Sequence, residues 1–472
     1  MINGCEECLK KQRVIDKQAE EIQRLRQKLH FEERRTEEGF FGSSTPSSKI
    51  PVKANIPEEK ERKKRGAKPG HQGHGRKAFT ESEAERVERW DGGLGNLCPD
   101  CGGMLQDKGD EDRCILESRP MKAERVVYRL PKKYCPHCQK SFRTRPPGVL
   151  PKSLFGNQLI TNAAVMHYLH GVPMGRVCQQ LELDPGSLVK IFHRLAGLFA
   201  GVSKKLIAEY RREPVRHADE TGWRTDGKNG YVWLFATKKL SIFQFKKTRS
   251  SQVPRAVFGA KKLPGVLVVD RYSGYNKMPC GIQYCYSHLL REVKDLEKEF
   301  PDEEEVHIFV STVAPLITLA IGLRAQAISE AQFRRRAASL KSEIEAAMKH
   351  PARHLGIRHI QDIFRKNKKR LYHWAKDREV PADNNLAERD LRPTVIARKV
   401  SFGSQSDAGA ETRSVLMTVL HTIKKRGLDA ASHLKWVLDE LAKEMNQNPI
   451  PLLFPRDPPK KNLQTKTKPD MK

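Results

Sequence analysis

Three acidic residues occupy positions that suit metal ligands. Asp219 ends the segment VRHAD at 215–219, Asp270 directly follows the apolar run VLVV at 266–269, and Glu388 lies in the polar segment ADNNLAER. Carboxylates on rigid elements supply the hard oxygen ligands that Mg²⁺ prefers. Two such ions can activate a nucleophile and stabilise the leaving oxygen of an in-line displacement at phosphorus. The three acids therefore predict a site for Mg²⁺ or Mn²⁺ that acts on phosphate esters.

Each acid also has a plain structural interpretation. An Asp after a strand is often a turn former or a helix cap. Glu388 follows Asn385 by three residues, which is the spacing of a capping box. In such a box the glutamate side chain accepts a hydrogen bond from the backbone amide of the cap residue. The residues alone leave both interpretations open. Glu220 should point to the opposite face of a strand from Asp219, and Asp226 is predicted to be a turn residue.

Two cysteine pairs of like sequence form a second candidate metal site. Each is a Cys-Pro-x-Cys knuckle, and 33 residues separate the two knuckles. Four thiolates in two tight turns give Zn²⁺ a tetrahedral sulfur shell with no open position, so this ion should stabilise the fold rather than catalyse a reaction. The predicted zinc ligands are Cys98, Cys101, Cys135 and Cys138.

The two aspartates need neighbouring strands to bring them together. From residue 214 the pattern changes to short apolar strands, namely PVRHAD, YVWLFAT, SIFQF and VLVVD, with a helix-like segment around 251–259. TDGKNG is the clearest of the turns between them. Strands joined by hairpins, then a helix and a further strand, form the order of a ribonuclease-H-like core, in which the first and fourth strands are adjacent. We therefore predict an α/β core with a mixed sheet and helices, in which Asp219 and Asp270 converge.

Composition limits the classes of function. The chain of 472 residues has 87 Lys and Arg against 57 Asp and Glu, a formal net charge of +30. This excess favours a polyanionic partner, because cationic side chains release counterions from a phosphate backbone. The sequence contains no apolar run of about 18 residues, so we predict no membrane span. The N-terminus also lacks the apolar core of a secretory signal. Ten cysteines, several of them in CxxC pairs, favour metal binding in a reducing cytosol, so we expect a cytoplasmic, nucleoid-associated protein.

The segments before and after the cysteine pairs each allow two interpretations. Ile15, Ile22 and Leu29 repeat every seven residues, which predicts a short helix that is either single or paired with a second protomer in a coiled coil. The basic, Gly-rich segment at 60–77 is either a solvated linker or a segment that orders on DNA. Residues 155–212 have helical spacing, and Asp184 provides a turn and a cap before a second helix. That pair fits a helix-turn-helix that binds DNA, and it fits two packing helices equally well.

Longer motifs follow one another in a recognisable order. They are HADETGW, VVDRYSGYN, CYSHLLRE and NNLAERDLRP, followed by ARKVSFGSQSDAGAETRSVLMTVLHTIKKRGLD. Before them come a Gly-Ser-Ser linker, RGAKPGHQGHGRK, the CPxC pairs and GVPMGRVCQQL. Together these motifs resemble the transposases of the insertion sequence 66 family, and the resemblance extends over nearly the whole chain.

The resemblance implies a DDE-type transposase with a ribonuclease-H-like catalytic domain. Asp219, Asp270 and Glu388 match that family's catalytic acids, and His288 and Arg291 match an H-x-x-R after the second acid. The long gap before Glu388 implies an inserted helical subdomain at about 290–375. Basic residues near the acids are candidates for contacts with DNA phosphates, with ordinary solvated charge as the alternative. These candidates are His288, Arg291, Arg389, Arg392, Arg398 and Lys399.

The predicted organisation has six parts. They are an N-terminal helix or short coiled coil at 1–40, a basic Gly-rich linker at 41–94, a zinc-binding module at 95–150, a helical DNA-binding region at 151–212, a catalytic domain at 213–428 that contains the helical insertion, and a C-terminal helix with a basic tail at 429–472.

The predicted activity is cleavage of DNA at the ends of an insertion element and transfer of the freed 3′-hydroxyl into target DNA. The predicted partners are double-stranded DNA and at least one further copy of the chain, and the sequence leaves open whether accessory proteins of the same element take part. Two other classes remain as alternatives. One is a zinc-ribbon DNA-binding regulator without enzymatic activity, and the other is a ribonuclease-H-like nuclease that cuts without joining.

Overall fold

The computed structural model describes residues 145–455 continuously. It also describes residues 14–15, 17–19, 21–22, 25, 80–84, 87, 100–101, 103–104, 122–137 and 139–143. The chain divides into two units, one formed by Met1–Pro51 with Ala123–Lys472 and the other by Val52–Lys122. The described part of the second unit includes a 3₁₀ turn at Glu81–Glu83. All elements named below belong to the first unit.

The N-terminal segment is described only in part. Its described residues between 14 and 25 are helical, and Ile15, Ile22 and Leu25 are exposed. Leu29, the basic segment at 60–77 and the tail from residue 456 lie outside the described residues. The pairing of this helix with a second protomer therefore stays a prediction.

Strands and helices alternate in the order that the sequence pattern indicates. The strands are β1 Lys132–Cys135, β2 Lys140–Arg143, β3 Val215–Thr225, β4 Lys228–Ala236, β5 Ser241–Lys246, β6 Val266–Val269 and β7 Gly281–Tyr284. The helices before the large sheet are α1 Asn157–Ala164 (continued by a π-helical turn at Val165–Leu169), α2 Met174–Leu181, α3 Pro185–Leu198 and α4 Val202–Tyr210. The remaining helices are α5 Gln252–Phe258, α6 Tyr286–Glu299, α7 Glu304–Leu323, α8 Glu330–Ala347, α9 Leu355–Lys366, α10 Lys368–Leu371, α11 His373–Lys376, α12 Asn385–Ser401, α13 Asp407–Lys425, α14 Ala430–Lys443 and α15 Pro449–Leu453.

The central sheet is mixed, as predicted. Its strand order is β5-β4-β3-β6-β7. Strand β4 is antiparallel to its neighbours β3 and β5, and β6 is parallel to its neighbours β3 and β7. Asp226 and Gly227 join β3 to β4 with positive φ angles of 53° and 69°. Two consecutive positive φ angles match the right-handed twist of a hairpin, so Asp226 is the turn residue that the sequence predicts. The first and fourth strands of this block, β3 and β6, are neighbours.

Helix α13 covers the outer edge of the sheet. The amides of Ser241 and Phe243 in β5 donate to the hydroxyls of Thr422 and Thr418, at 3.2 and 3.0 Å. The Ser414 hydroxyl donates to the Phe243 carbonyl at 2.6 Å. An edge strand otherwise leaves a row of unpaired backbone groups that can bind another chain. The hydroxyl residues of α13 satisfy this row and fix the helix against β5.

Between β7 and α12 the chain is helical. Helix α7 is long and apolar enough to span a membrane by length and composition, and it is the one described helix that meets this test. Its buried residues, among them Val306, Val313 and Ile317, lie in the same hydrophobic core as those of α6 and α8, and α7 packs against both helices. The helix therefore forms the core of this helical region, whose status as an inserted subdomain stays a prediction. No membrane is indicated by this single weak candidate.

Helices α2 and α3 form the helical pair predicted around Asp184. The Asp184 carboxylate caps α3 by accepting from the Ser187 amide at 2.8 Å, and Pro185 occupies the first turn. Leu188 and Phe192 are buried, and His193 hydrogen-bonds Thr412 of α13 at 2.6 Å. One side of α3 is thus used for packing. The contact of this pair with DNA stays a prediction.

Candidate active site

Asp219 and Asp270 lie at matching positions on neighbouring parallel strands. The last paired residues of β3 and β6 are His217 and Val268. Continuing this register by two residues places Asp219 opposite Asp270. Side chains at matching positions of parallel strands point to the same face, so the sheet brings the two carboxylates together as the sequence predicts.

Glu388 approaches Asp219 from helix α12. It lies in the first turn of this helix, where the positive end of the helix dipole favours a carboxylate. The helix begins after Asn384, whose side chain does not cap it, so the capping box from Asn385 to Glu388 is not formed. The Glu388 carboxylate instead lies 3.9 Å from Nδ1 of His288, measured from Oε1. The first turn of α12 thus directs the Glu388 side chain toward His288 at the start of α6.

The charges of neighbouring acids repel the charge of Asp219. Burial raises the pKa of Asp219 well above its usual range, and the charges of Glu220, Asp270 and Glu388 raise it further. The pKa of Asp270 rises to about 7, first through burial and then through the charge of Glu220. A hydrogen bond from the Tyr272 amide to Asp270 Oδ1 at 2.9 Å partly opposes this rise. Clustered acids with raised pKa values are typical of functional sites.

The chemical type of the three acids suits a hard divalent cation. One oxygen of Asp219, Oδ1, accepts from the Glu220 amide at 2.9 Å. The other, Oδ2, is buried and has no hydrogen-bond partner among the described residues. Leaving a buried carboxylate oxygen without a partner costs free energy. A hard cation held by Asp219, Asp270 and Glu388 would satisfy that oxygen and remove the mutual repulsion.

A hydrogen-bonded tether that the sequence did not reveal joins β3 to α12. The side chain of Asn384 is buried, and its Nδ2 donates to the Ala218 carbonyl at 2.9 Å. Its Oδ1 lies 2.9 Å from Nδ1 of His217. Burial lowers the pKa of His217 to about 4, so the ring is neutral, and its Nδ1–H donates a hydrogen bond to the Asn384 oxygen. These bonds fix the start of the helix that carries Glu388 beside the strand that carries Asp219.

We expect Asn384→Ala to slow catalysis and to destabilise the fold. Two buried groups on β3 would lose their partners, which costs about 2 kcal/mol of unfolding free energy. A small displacement of Glu388 should also lower the cleavage rate by about 100-fold, because misplaced catalytic groups lose most of their effect. Denaturant unfolding and a DNA cleavage assay measure the two effects.

Asn385→Ala provides the matched control for that prediction. Asn385 is the next residue, is exposed, and hydrogen-bonds through its side chain to Asp383 at 2.9 Å. We expect it to leave the cleavage rate unchanged. Equal behaviour of the two alanine variants would contradict the role of Asn384 as a tether.

Glu220 points to the opposite face from Asp219 and supports the second acid from there. It is fully buried, and its Oε1 accepts from Arg249 Nη2 at 2.6 Å, while Oε2 accepts from the Tyr275 hydroxyl at 2.5 Å. The Arg249 guanidinium lies 4.0 Å from the centre of the Tyr272 ring. The Tyr272 amide binds Asp270, so this network fixes the loop that presents Asp270.

Removing the Glu220 carboxylate should strongly destabilise the protein. Glu220→Ala takes away the acid that holds a largely buried Arg249 and leaves the Tyr275 hydroxyl unsatisfied, a loss of about 3–5 kcal/mol. Glu220→Gln keeps hydrogen-bonding atoms at the same place and should cost clearly less. Chemical denaturation compares the two variants. If both unfold at the wild-type denaturant concentration, the network does not support the fold.

His288 lies 3.9 Å from Glu388, and Arg291 lies on the same helix close enough for its charge to act on the His288 ring. Burial lowers the pKa of His288 to about 3, and the charges of Arg291 and Arg271 lower it further. The ring is therefore neutral at physiological pH. Both of its nitrogens are shielded from solvent, and neither has a hydrogen-bond partner in the described part of the chain. Arg271 is itself paired with Glu292.

The basic residues after Glu388 divide into two groups. The exposed residues are Arg389, Arg392 and Lys399. Arg398 is buried instead, and its Nη1 donates to the Thr221 hydroxyl at 3.0 Å and to the Gly222 carbonyl at 2.7 Å. The prediction that Arg398 contacts DNA phosphates is therefore wrong, because its guanidinium is used to join α12 to β3.

The zinc ligand set is described only in part. Strands β1 and β2 form an antiparallel hairpin, and Cys135 is the last residue of β1, followed by a turn. Cys101 is exposed, while Cys98 and Cys138 lie outside the described residues. A hairpin that ends in a knuckle is typical of zinc modules, but the four ligands stay a prediction.

Comparison with known proteins identifies the family. Residues 152–412, more than half of the chain, match the model for the transposase IS66 family, and this range contains Asp219, Asp270 and Glu388. The chain belongs to the transposase IS66 family. Residues 96–139 match the zinc-finger binding domain of transposase IS66, a range that contains all four predicted zinc ligands. The resemblance stated from the motifs is thus confirmed.

Two curated relatives extend over most of this IS66 family chain. An uncharacterized protein y4qI of Sinorhizobium fredii is 25% identical over an alignment of 441 residues, with 83% of this chain and 78% of the relative covered. An uncharacterized protein y4jD of the same organism is 23% identical over 389 residues, with 73% and 74% covered. The likeness therefore includes regions outside the catalytic domain.

Proposed function

We propose that the chain is a DDE-type DNA transposase that cuts the ends of its insertion element and joins them to target DNA. The observation that supports this most is the parallel register that places Asp219 opposite Asp270, with Glu388 close enough to repel Asp219. The strand order β5-β4-β3-β6-β7, in which β4 alone runs opposite to the other four strands, supports the proposal of a ribonuclease-H-like core. Family membership supports the same activity.

The three acids would hold two Mg²⁺ or Mn²⁺ ions. Such ions, when bound, activate an attacking hydroxyl and stabilise the leaving oxygen of a phosphodiester. The contribution of the chain is to hold the carboxylates rigidly on β3, after β6 and in the first turn of α12. Rigid ligands lose little entropy when the site forms, so the geometry for in-line attack is set in advance.

The reaction would proceed in two displacements at phosphorus. In the first, water attacks the phosphodiester at the element end, and the bond to the 3′ oxygen breaks to leave a 3′-hydroxyl. In the second, this hydroxyl attacks a phosphodiester of the target, which forms the new bond as the target strand breaks. The leaving oxygen takes up a proton in each step, and no covalent bond to the protein forms.

Basic residues around the acids would bind the DNA backbone. Arg291 would add positive charge at a phosphate beside the neutral His288 ring. Arg389, Arg392 and Lys399 are exposed on α12 and would contact phosphates farther from the break. The zinc module, with Cys98, Cys101, Cys135 and Cys138 as ligands, and helices α2 and α3 would bind the element ends.

A reaction on labelled DNA that carries the ends of the element tests this proposal. With Mg²⁺ we expect nicks that leave 3′-hydroxyls, followed by molecules in which those ends are joined to a target plasmid. Nicks without joined molecules would indicate a nuclease. Binding without either product, even with the accessory proteins of the element added, would indicate a DNA-binding regulator.

A further inference from the structure

Beside the three acids lies a cluster with a different set of donor atoms. The Sγ atom of Cys285, a ring nitrogen of His288 and a carboxylate oxygen of Glu388 all lie within 4.8 Å of one another. Among the residues that the structure describes, this is the one cluster of His, Cys, Asp and Glu that meets this spacing. The proposed transposition chemistry uses Glu388 and a neutral His288 but has no role for a thiol.

The elements that carry the cluster are fixed independently of any ligand. Cys285 is the residue before α6, and His288 is the third residue of that helix. Glu388 comes from the first turn of α12. The Asn384 amide donates to Cys285 Sγ at 3.1 Å, which ties the start of α12 to the start of α6. The three donors therefore converge through the packing of two helix N-termini.

The cluster is buried and contains unsatisfied donors. Cys285 is fully buried, and the His288 and Glu388 side chains are 17% and 12% exposed. Neither ring nitrogen of His288 has a hydrogen-bond partner among the described residues. A buried imidazole without partners is costly, and coordination of a metal by one nitrogen would offset that cost. Sulfur, nitrogen and oxygen together suit Zn²⁺ or Co²⁺ rather than Mg²⁺.

We propose that Cys285, His288 and Glu388 form an inhibitory site for a thiophilic divalent ion such as Zn²⁺, distinct from the Mg²⁺ site but sharing Glu388. Three protein ligands leave one position open, so the ion should exchange with solvent, unlike the ion in a closed four-cysteine module. When it binds, the thiol releases its proton and Glu388 becomes a zinc ligand. Glu388 can then no longer act with Asp219 and Asp270 as the third ligand of the proposed Mg²⁺ site.

A cobalt titration tests whether the site exists, without any need for transposition activity. The full-length protein, with its zinc module already filled with Zn²⁺, is titrated with Co²⁺ and followed by absorption in the near ultraviolet. We expect one further equivalent of Co²⁺ with a thiolate-to-cobalt charge-transfer band. Cys285→Ser should abolish the band and should keep the hydrogen bond from the Asn384 amide, because serine retains an acceptor atom.

Two further variants make the titration specific. Cys178→Ser replaces another buried cysteine, in α2, and should leave the band unchanged. His288→Ala should weaken cobalt binding by about 10-fold or more, since it removes one of three ligands. An identical band in wild type and Cys285→Ser, or cobalt binding without any band, would overturn the proposal. Circular dichroism of each variant shows that the fold is retained.

Inhibition then links the site to the acids. With Mg²⁺ present, we expect Zn²⁺ to inhibit DNA cleavage by the wild type. Cys285→Ser should raise the Zn²⁺ concentration for half inhibition by about 10-fold or more. Equal inhibition of both proteins would show that Zn²⁺ acts elsewhere. An inactive wild type would count against the proposed transposase function alone, because the cobalt band decides the site separately.

Discussion

Replacing any one of the three acids should abolish DNA cleavage and joining while leaving the protein folded. We expect Asp219→Asn, Asp270→Asn and Glu388→Gln each to lower the cleavage rate by about 1,000-fold or more, which is about 4 kcal/mol in the activation barrier. The reason is that each variant removes a charged ligand from a site that needs all three. Rates on labelled element ends with saturating Mg²⁺ measure the effect.

These variants should not lose stability, and this separates a catalytic role from a structural one. The carboxylate of Asp219 is buried among Glu220, Asp270 and Glu388, and its pKa is raised by burial and by their charges. A neutral amide relieves that repulsion, so the unfolding free energy without Mg²⁺ should stay equal or increase. If Asp219→Asn were inactive because it unfolds, the acids would have a structural role instead.

Asp226→Asn is the matched control for the aspartate variants. Asp226 lies in the exposed turn between β3 and β4 with a φ angle of 53°, a conformation that Asn also tolerates well. The same chemical change is thus made on the same hairpin but away from the acids. We expect wild-type cleavage and joining. A comparable loss of activity here would mean that the assay responds to overall charge or fold rather than to the metal ligands.

The second large effect is a dependence of stability on both pH and Mg²⁺. The folded-state pKa of Asp270 is about 7, whereas the same group in the unfolded chain has its ordinary value of 3.8. Between these values the folded protein binds more protons than the unfolded one. The unfolding free energy therefore decreases as pH rises through this range, by on the order of a few kcal/mol. Asp219 acts in the same direction, because its pKa is also raised.

Mg²⁺ should reverse this loss at neutral and alkaline pH. The ion binds ionised carboxylates, so it competes with protons and stabilises the folded state more as pH rises. We expect the Tm without added divalent metal to fall by several degrees between about pH 5.5 and about pH 8, and Mg²⁺ to restore it mainly at the upper end. Thermal unfolding monitored at several pH values, with and without Mg²⁺, measures both trends.

Variants of two residues test the origin of this pH dependence. Asp270→Asn should flatten the fall in Tm and weaken the response to Mg²⁺. Glu220→Gln should move the fall to lower pH, because the charge of Glu220 contributes to the raised pKa of Asp270. A wild-type Tm that is independent of pH, or a Mg²⁺ response that is the same at both ends of the range, would contradict the clustering of the acids.

The sequence predicts the two aspartates well because their signal is local. Asp270 follows the apolar strand β6, as predicted. The sequence predicts Asp219 at the end of its strand, but it lies within β3, because the strand continues to Thr225 in the hairpin with β4. The order of strands and helices predicts which strands are neighbours, and β3 lies beside β6 as expected. The hairpin turn at Asp226 and the cap at Asp184 are also local patterns, and both are present. Short-range chemistry of this kind needs no knowledge of the tertiary fold.

The third acid could not be settled from spacing alone. Asn385 and Glu388 have the spacing of a capping box, and only the family resemblance favoured a catalytic role. The helix begins after Asn384, because the Asn384 side chain binds His217 and Ala218 across the fold. A contact between residues more than 160 positions apart leaves no periodic signal in the sequence. The partnership of Glu220 with Arg249 and Tyr275 was missed for the same reason.

The burial of Arg398 could have been predicted from the sequence. Ala387, Leu391 and Thr394 are buried, and Arg398 follows them at the spacing of one helix face. Its position on this face predicts burial, whereas Arg392 and Lys399 lie on the exposed side. Because the prediction included every basic residue of α12 after Glu388, the predicted DNA-contacting surface of this helix was too large. The helical face on which a basic residue lies is the better predictor.

Strand transfer with element ends that already carry a free 3′-hydroxyl tests most directly whether the three acids form one DNA-joining site. The labelled ends are incubated with a supercoiled target plasmid and Mg²⁺, comparing the wild type with Asp270→Asn, Glu388→Gln and Asp226→Asn. We predict joined products from the wild type and from Asp226→Asn, and none from the other two variants, although all four proteins bind the ends. Joined products from Asp270→Asn or Glu388→Gln at the wild-type rate would contradict the assignment of Asp219, Asp270 and Glu388 as the catalytic site.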